Sequence, residues 1–184
     1  EDAAERVRRL PKLGLGIHFT LVDGFPVLPP EEIPSLVDES GVFLPNYGAF
    51  SKRYAKGGVH LAEGRAELAA QLKKFEAAGL SLDHADSHQH MHVLPGIIEI
   101  VIGLCREAGI PALRAPFAPL FAGKFGGVGQ FAGRVGLALL ARNAASLARK
   151  AGISVPDHFA GIVAGEAVDE VELLHAIKNL REGV

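Results

Sequence analysis

The run LGLGIHFTLV, residues 13–22, limits the folds open to this chain more than any other stretch. It is apolar almost throughout, as expected of a strand covered on both faces, and that situation arises inside a parallel sheet flanked by helices. One residue breaks the pattern. His18 lies between Ile17 and Phe19, and an imidazole placed there needs a partner. Taken alone it reads as a hydrogen-bonded core residue; beside a second strand carrying histidines it becomes a candidate metal ligand.

Helical periods alternate with short apolar runs along the rest of the chain. The opening EDAAERVRRL reads as a short helix with Asp2 and Glu5 at capping-box spacing. Residues 60–78 read as a helix with Leu61, Leu68, Leu72 and Phe75 on one side, Glu67, Lys73 and Lys74 facing water, and Gly79 ending it. The pattern then predicts a strand over 80–86, a helix over 95–108, a strand over 110–114 and helices over 129–151 and 167–181. In the last helix, Val171, Leu173, Leu174, Ile177 and Leu180 form an apolar stripe. Residues 23–59 hold Pro26, Pro29, Pro30, Pro34 and Pro45 with no sustained period. Such an irregular insertion commonly serves as a lid or substrate-binding segment. Strands alternating with helices predict one α/β domain around a parallel sheet, open or closed into a barrel. No strand precedes 13–22 to pair with it, and the chain stops where a strand would follow its last helix. A piece of a longer α/β domain is therefore expected, and exposed sheet edges make a homodimer a further expectation.

Composition removes several classes. Among 184 residues a single Cys, Cys105, leaves no pair for an intramolecular disulfide and no Cys-based zinc site. A net charge of -2, 7% aromatics and no Trp argue against nucleic acid as a partner. No apolar run reaches the roughly 18 residues of a spanning helix, so a cytoplasmic protein is expected. Between Glu107 and Asp157 there is no acidic residue, while Arg114, Lys124, Arg134, Arg142, Arg149 and Lys150 are interleaved with Phe117, Phe121, Phe125 and Phe131. That mixture suits peripheral contact with an anionic membrane or a lipid-linked substrate, or else a core with a solvated rim. Arg114 in this segment, and Asp157 and His158 in VPDHF, are candidates to bind a substrate; the last two suit turn chemistry equally. No G-x-S-x-G and no P-loop are present.

The sharpest chemical feature is LDHADSHQHMHVLPG, residues 82–96, which places four of eight histidines within nine positions: His84, His88, His90 and His92. If extended, the segment projects Asp86, His88, His90 and His92 on one face; if helical, it brings His88 and His92 together. Either way imidazoles gather at the carboxyl end of a strand, where parallel sheets and barrels build their sites. Imidazole suits borderline divalent ions, and Asp86 can act as a ligand or as an acceptor that fixes a histidine tautomer. His18 and His88 could meet if their strands end side by side. For a third ligand, Asp23, Asp86 and Asp157 are available and none has decisive spacing.

GIHFTLVDG (16–24), GVFLPN (41–46), DHADSHQHMHVLPG (83–96) and IPALRAP (110–116) together resemble the YdjC-like carbohydrate deacetylases. PDHFAG (156–161) is similar to their hopanoid-biosynthesis branch. The resemblance implies a distorted (β/α) barrel and a hydrolase, dependent on a divalent ion such as Mg or Zn, that removes acetyl groups from N-acetylated sugars, lipid-linked ones included. Carried over by position, the two metal-binding histidines fall on His18 and His88, with Asp86, His90 and His92 supporting or lining the site. The family's Asp-Asp-Phe-Gly and Cys-His-Pro motifs have no counterpart here. The chain is accordingly expected to hold two of three metal ligands and to be inactive without the segment supplying the third. Competing readings are another metal-dependent sugar enzyme, such as an isomerase, and a non-catalytic metal- or lipid-binding fragment.

Overall fold

The computed structural model describes residues 2–10, 12–117, 128–157, 159 and 170–179. At its centre β1 (Gly16–Phe19) and β2 (His84–Ser87) run parallel, in a register that sets Gly16 against His84 and His18 against Asp86. Two further segments continue the sheet. Ala85 N–H donates to Ala112 O and Arg114 N–H to Ala85 O, both at 2.9 Å. Leu113 N–H then donates to Ser154 O and Ser154 N–H to Pro111 O. The four segments therefore lie side by side in chain order, all parallel. The described helices are α1 (Asp2–Arg8), α2 (Tyr47–Ala55), α3 (Leu61–Ala77), α4 (Ile97–Glu107), α5 (Val128–Lys150) and α6 (Glu170–Lys178). The result is a mixed α/β fold with a small parallel sheet.

β1 is shorter than its apolar run. Leu21 and Val22 stay buried, but the backbone leaves the sheet at Thr20, whose N–H donates to Gln71 Oε1 and whose carbonyl accepts from Gln71 Nε2. A side-chain amide on α3 thus replaces a neighbouring strand. Glu67, one turn earlier on α3, departs from the expectation that it faces water: it is 0% exposed. Its Oε1 accepts from Val27 N–H at 2.9 Å and its Oε2 from Leu28 N–H at 3.0 Å, while Gln71 Nε2 donates to Oε1 at 2.8 Å. The physical reason is the proline-rich insertion, whose Val27 and Leu28 amides are answered by this carboxylate. Leu61, expected on the apolar side, is instead exposed.

The insertion is also more ordered than its sequence suggests. Asn46 caps α2 by accepting Ala49 N–H, and Phe50, the helix's one buried residue, stacks on Tyr54. One buried position makes no periodic stripe, which is why this helix escapes a periodicity reading. On α4, Ile97, Ile98, Val101, Leu104 and Cys105 are buried, while α5 presents Ala138, Ala141, Ala144, Ala145 and Ala148 inward. On α6 the apolar stripe is uncovered: Val171, Leu173, Leu174 and Ile177 are exposed, and Leu180 lies outside the described residues. No described helix is long and apolar enough to cross a membrane.

Because Glu67 answers two amides and an amide side chain at once, Glu67→Ala should lower stability by about 2–4 kcal/mol in urea unfolding. It should also speed hydrogen exchange at Val27 and Leu28. Unchanged exchange at those two amides would contradict the role given to this carboxylate.

Candidate metal centre

In-register parallel pairing brings the ends of β1 and β2 to one edge, with His18 opposite Asp86. His18 Nδ1 donates to Asp86 Oδ1 at 2.6 Å, and Arg114 Nη1 donates to Asp86 Oδ2 at 2.7 Å. Asp86 is only 7% exposed, so a buried carboxylate has each oxygen engaged by a different neighbour. The first of those bonds fixes the His18 tautomer from its partner: the proton sits on Nδ1 and the Nε2 lone pair points outward. The His18 side chain is 53% exposed.

His18 Nε2 faces His88 Nδ1 across 3.4 Å, with the two rings edge to face at 73°. On the far side of the His88 ring, Nε2 lies 3.4 Å from both Asp23 Oδ2 and the Gln89 amide nitrogen. His88 can therefore be satisfied in two ways. With its proton on Nδ1 it donates to His18 and accepts from Gln89. With the proton on Nε2, facing Asp23, two imidazole lone pairs confront each other, and a cation between them removes the conflict. Two nitrogens bound at about 2.0–2.1 Å to one tetrahedral ion lie about 3.4 Å apart, the same separation as a direct N–H···N hydrogen bond between these two rings. Among the described residues no group of three or more His, Cys, Asp or Glu is assembled to hold a metal ion.

The segment after β2 is neither the extended strand nor the helix considered from sequence. Residues His88–Val93 form 3-10 turns across a kink, with Gln89 (φ 49°) and His90 (φ 59°) in the left-handed region. Two consecutive non-glycine residues there are costly and cluster at functional sites. The kink separates His92 from His88. His92 is 1% exposed; Ser87 Oγ–H donates to its Nδ1 at 2.6 Å, and its Nε2–H donates to Arg114 O at 2.8 Å. Both nitrogens are used, so His92 braces the Arg114 backbone rather than offering a lone pair. Burial pushes its pKa down to about 4. His90 packs its ring edge to face on Phe159, and its buried Nδ1 has no hydrogen-bond partner. Burial, and then the neighbouring Arg114 charge, lower its pKa. The Arg114 guanidinium also lies over Phe159, 5.5 Å from the ring centre. His158 lies outside the described residues, as do Lys124, Phe121 and Phe125. Asp157 pairs with Arg149 at 3.0 Å.

Sequence reasoning gave no role to Ser87, Gln89 or Phe159, and left Asp23 as one carboxylate among several. Ser87 and Gln89 stand inside the histidine motif, so only the turn geometry distinguishes them.

A family profile described as YdjC-like protein matches residues 1–184. The chain belongs to that family. Relatives include carbohydrate deacetylases of Brevibacillus brevis, 40% identical over 116 residues covering 60% of this chain and 42% of that one, and of Homo sapiens, 40% identical over 118 residues covering 63% and 36%. A chitooligosaccharide deacetylase of Proteus mirabilis is 39% identical over 113 residues, covering 60% of this chain and 42% of its own. These matches span less than half of each relative's length. A crystal structure from Enterococcus faecalis, provisionally named a cellobiose-phosphate cleavage protein, superposes with a TM-score of 0.68 at 25% identity, over 96% of this chain and 59% of that one.

The buried His92 yields a pH signature. Its folded pKa of about 4 lies below the ordinary 6.5, so below about 6.5 the unfolded chain takes up a proton that the folded one refuses. Stability should therefore fall as pH drops from 6.5 to about 4, by roughly 3 kcal/mol in all, and this contribution is flat beyond. Urea midpoints at pH 7 and 4.5 for the parent and for His92→Gln measure it; an equal pH dependence in both would refute the assignment.

Proposed function

We propose that this chain carries the metal-binding histidines of a carbohydrate deacetylase, an amide hydrolase that releases acetate from N-acetylated sugars. The observation that carries the reading is the 3.4 Å approach of His18 Nε2 and His88 Nδ1, each ring backed by a carboxylate. Membership of the YdjC-like family and the names of three relatives support the same chemistry. Neutral imidazoles suit zinc and its neighbours better than magnesium, which favours oxygen ligands.

His18 and His88 would hold the ion. When bound, such an ion polarises a carbonyl oxygen and lowers the pKa of a water. The remaining work falls to the chain's own groups. Asp86 holds His18 in the tautomer that presents Nε2, and Arg114 holds the second oxygen of Asp86. Asp23 accepts the His88 proton on Nε2, which frees Nδ1 toward His18. His92, locked between Ser87 and Arg114 O, sets the backbone from which the Arg114 side chain reaches inward. Part of the guanidinium surface, stacked on Phe159, remains able to meet a polar substrate group.

Two finer parts of the reading have narrower support. The sequential, all-parallel order of the four sheet segments is the order found in an arc of a (β/α) barrel. A lipid-linked sugar of hopanoid type, met by a cytoplasmic protein at the membrane surface, is supported by α5, where exposed Leu139 lies one turn before exposed Arg142, with Arg149 and Lys150 at the helix's far end.

Calorimetry and elemental analysis on the parent chain should show one divalent ion, with no binding by the His18→Ala, His88→Ala double variant. Asp86→Asn should weaken affinity about 10–100-fold. In a longer protein containing this chain, acetate release from an N-acetylglucosaminyl substrate should fall with the same ranking. Metal binding that survives the double variant would overturn the assignment.

A further inference from the structure

Most aromatic residues of the insertion have a structural use. Phe43 and Phe50 are buried, and Tyr54 is half-buried with its hydroxyl donating to Pro95 O. Phe25 and Tyr47 do not share this fate, at 84% and 62% exposed. A single exposed aromatic on a surface needs no explanation. These two differ because the backbone at each is tied to groups that approach His88.

Phe25 follows a segment fixed by two backbone bonds: Asp23 N–H donates to Leu44 O at 2.8 Å and Phe43 N–H to Gly24 O at 3.0 Å. Asp23 itself is held in the left-handed region at φ 55° and places its carboxylate 3.4 Å from His88 Nε2. Tyr47 is anchored from the other side. Its N–H donates to Gln89 Oε1 at 2.7 Å, and the same Gln89 side chain reaches His88 Nε2. The left-handed turn at Gln89, costly in itself, thus connects the first residue of α2 to the histidine. Each aromatic is within two residues of a group that approaches His88, and neither packs into the core.

We infer that Phe25 and Tyr47 form the platform on which a pyranose ring of an N-acetylated saccharide rests beside His88. This assignment rests on the deacetylase reading and adds to it the residues that recognise the sugar. The C–H face of a pyranose packs on an aromatic ring, while its rim of hydroxyls needs polar partners, which the exposed carboxylate of Asp23 supplies at the same edge. Aromatic side chains give such contact area with few rotatable bonds to freeze. Backbone hydrogen bonds hold the main chain at both residues before any ligand arrives, which leaves only the two rings to be ordered on binding.

The test is calorimetric titration of N,N′-diacetylchitobiose, and separately of cellobiose, into the parent chain and into Phe25→Ala, Tyr47→Ala and Tyr47→Phe. Each alanine variant should raise the Kd for diacetylchitobiose about ten-fold, whereas Tyr47→Phe, which keeps the ring, should stay within about two-fold of the parent. Thermal unfolding should be unchanged, since neither side chain is buried. With two Tyr and no Trp in the chain, a Tyr54→Phe background leaves Tyr47 as the main emitter, and saccharide should alter its fluorescence. Binding of diacetylchitobiose that ignores both alanine variants overturns the platform and leaves the deacetylase reading standing. Cellobiose bound as tightly as diacetylchitobiose, with both weakened by the alanine variants, keeps the platform and counts against an N-acetyl substrate. No binding of either sugar by the parent overturns the platform.

Discussion

The carboxylate of Asp86 ties the site to the sheet. It stands on β2, takes a proton donor from His18 on β1 and a guanidinium from Arg114 on the next segment, and so joins three neighbouring sheet segments at their carboxyl ends. Removing one partner from a buried ion pair generally costs about 3–5 kcal/mol, less here because Arg114 is partly exposed. That cost makes the arrangement self-consistent: the backbone register that aligns His18 with Asp86 is reinforced by the side chains it aligns. A one-residue slip of β1 would turn His18 to the other face and leave Asp86 with an unanswered oxygen.

Within this frame the histidines of one short motif divide into unlike tasks. His88 directs Nδ1 at His18 Nε2, His92 spends both nitrogens on Ser87 and Arg114 O, and the His90 ring packs against Phe159. Burial decides the difference. A ligand must offer a lone pair to a place a metal can reach, and a ring sealed by a serine and a carbonyl cannot. The left-handed kink at Gln89 and His90 produces that division, because a regular strand or helix would have given His88 and His92 equivalent surroundings.

The pairing of His18 with His88 was legible in the sequence, since an imidazole inside an apolar strand and an Asp-Ser-His at the end of another can meet only if the strands are neighbours. Alternation of strands and helices was legible for the same reason, as a question of period. The kink was not, because glutamine and histidine carry no signal for positive φ of the kind glycine gives. Glu67 was misread because helical periodicity sees only its own helix, while the amides that bury this carboxylate arrive from Val27 and Leu28, about 40 residues away. A third metal ligand was not evident from spacing, and none is assembled with the pair among the described residues.

The insertion links these observations. The insertion closes many of its own backbone hydrogen bonds, but its Val27 and Leu28 amides rest on Glu67 of α3, and Gln71 of the same helix holds Thr20 just ahead of it. That anchoring fixes the exit from β1, and with it Asp23, against the residues that lead into α2. Gln89 then fastens the start of α2 to the turn that carries His88. A segment held at both ends beside a pair of histidines is placed to determine what approaches them. Its exposed aromatics belong to that role more naturally than to the core, where Phe43 and Phe50 already fill the space available.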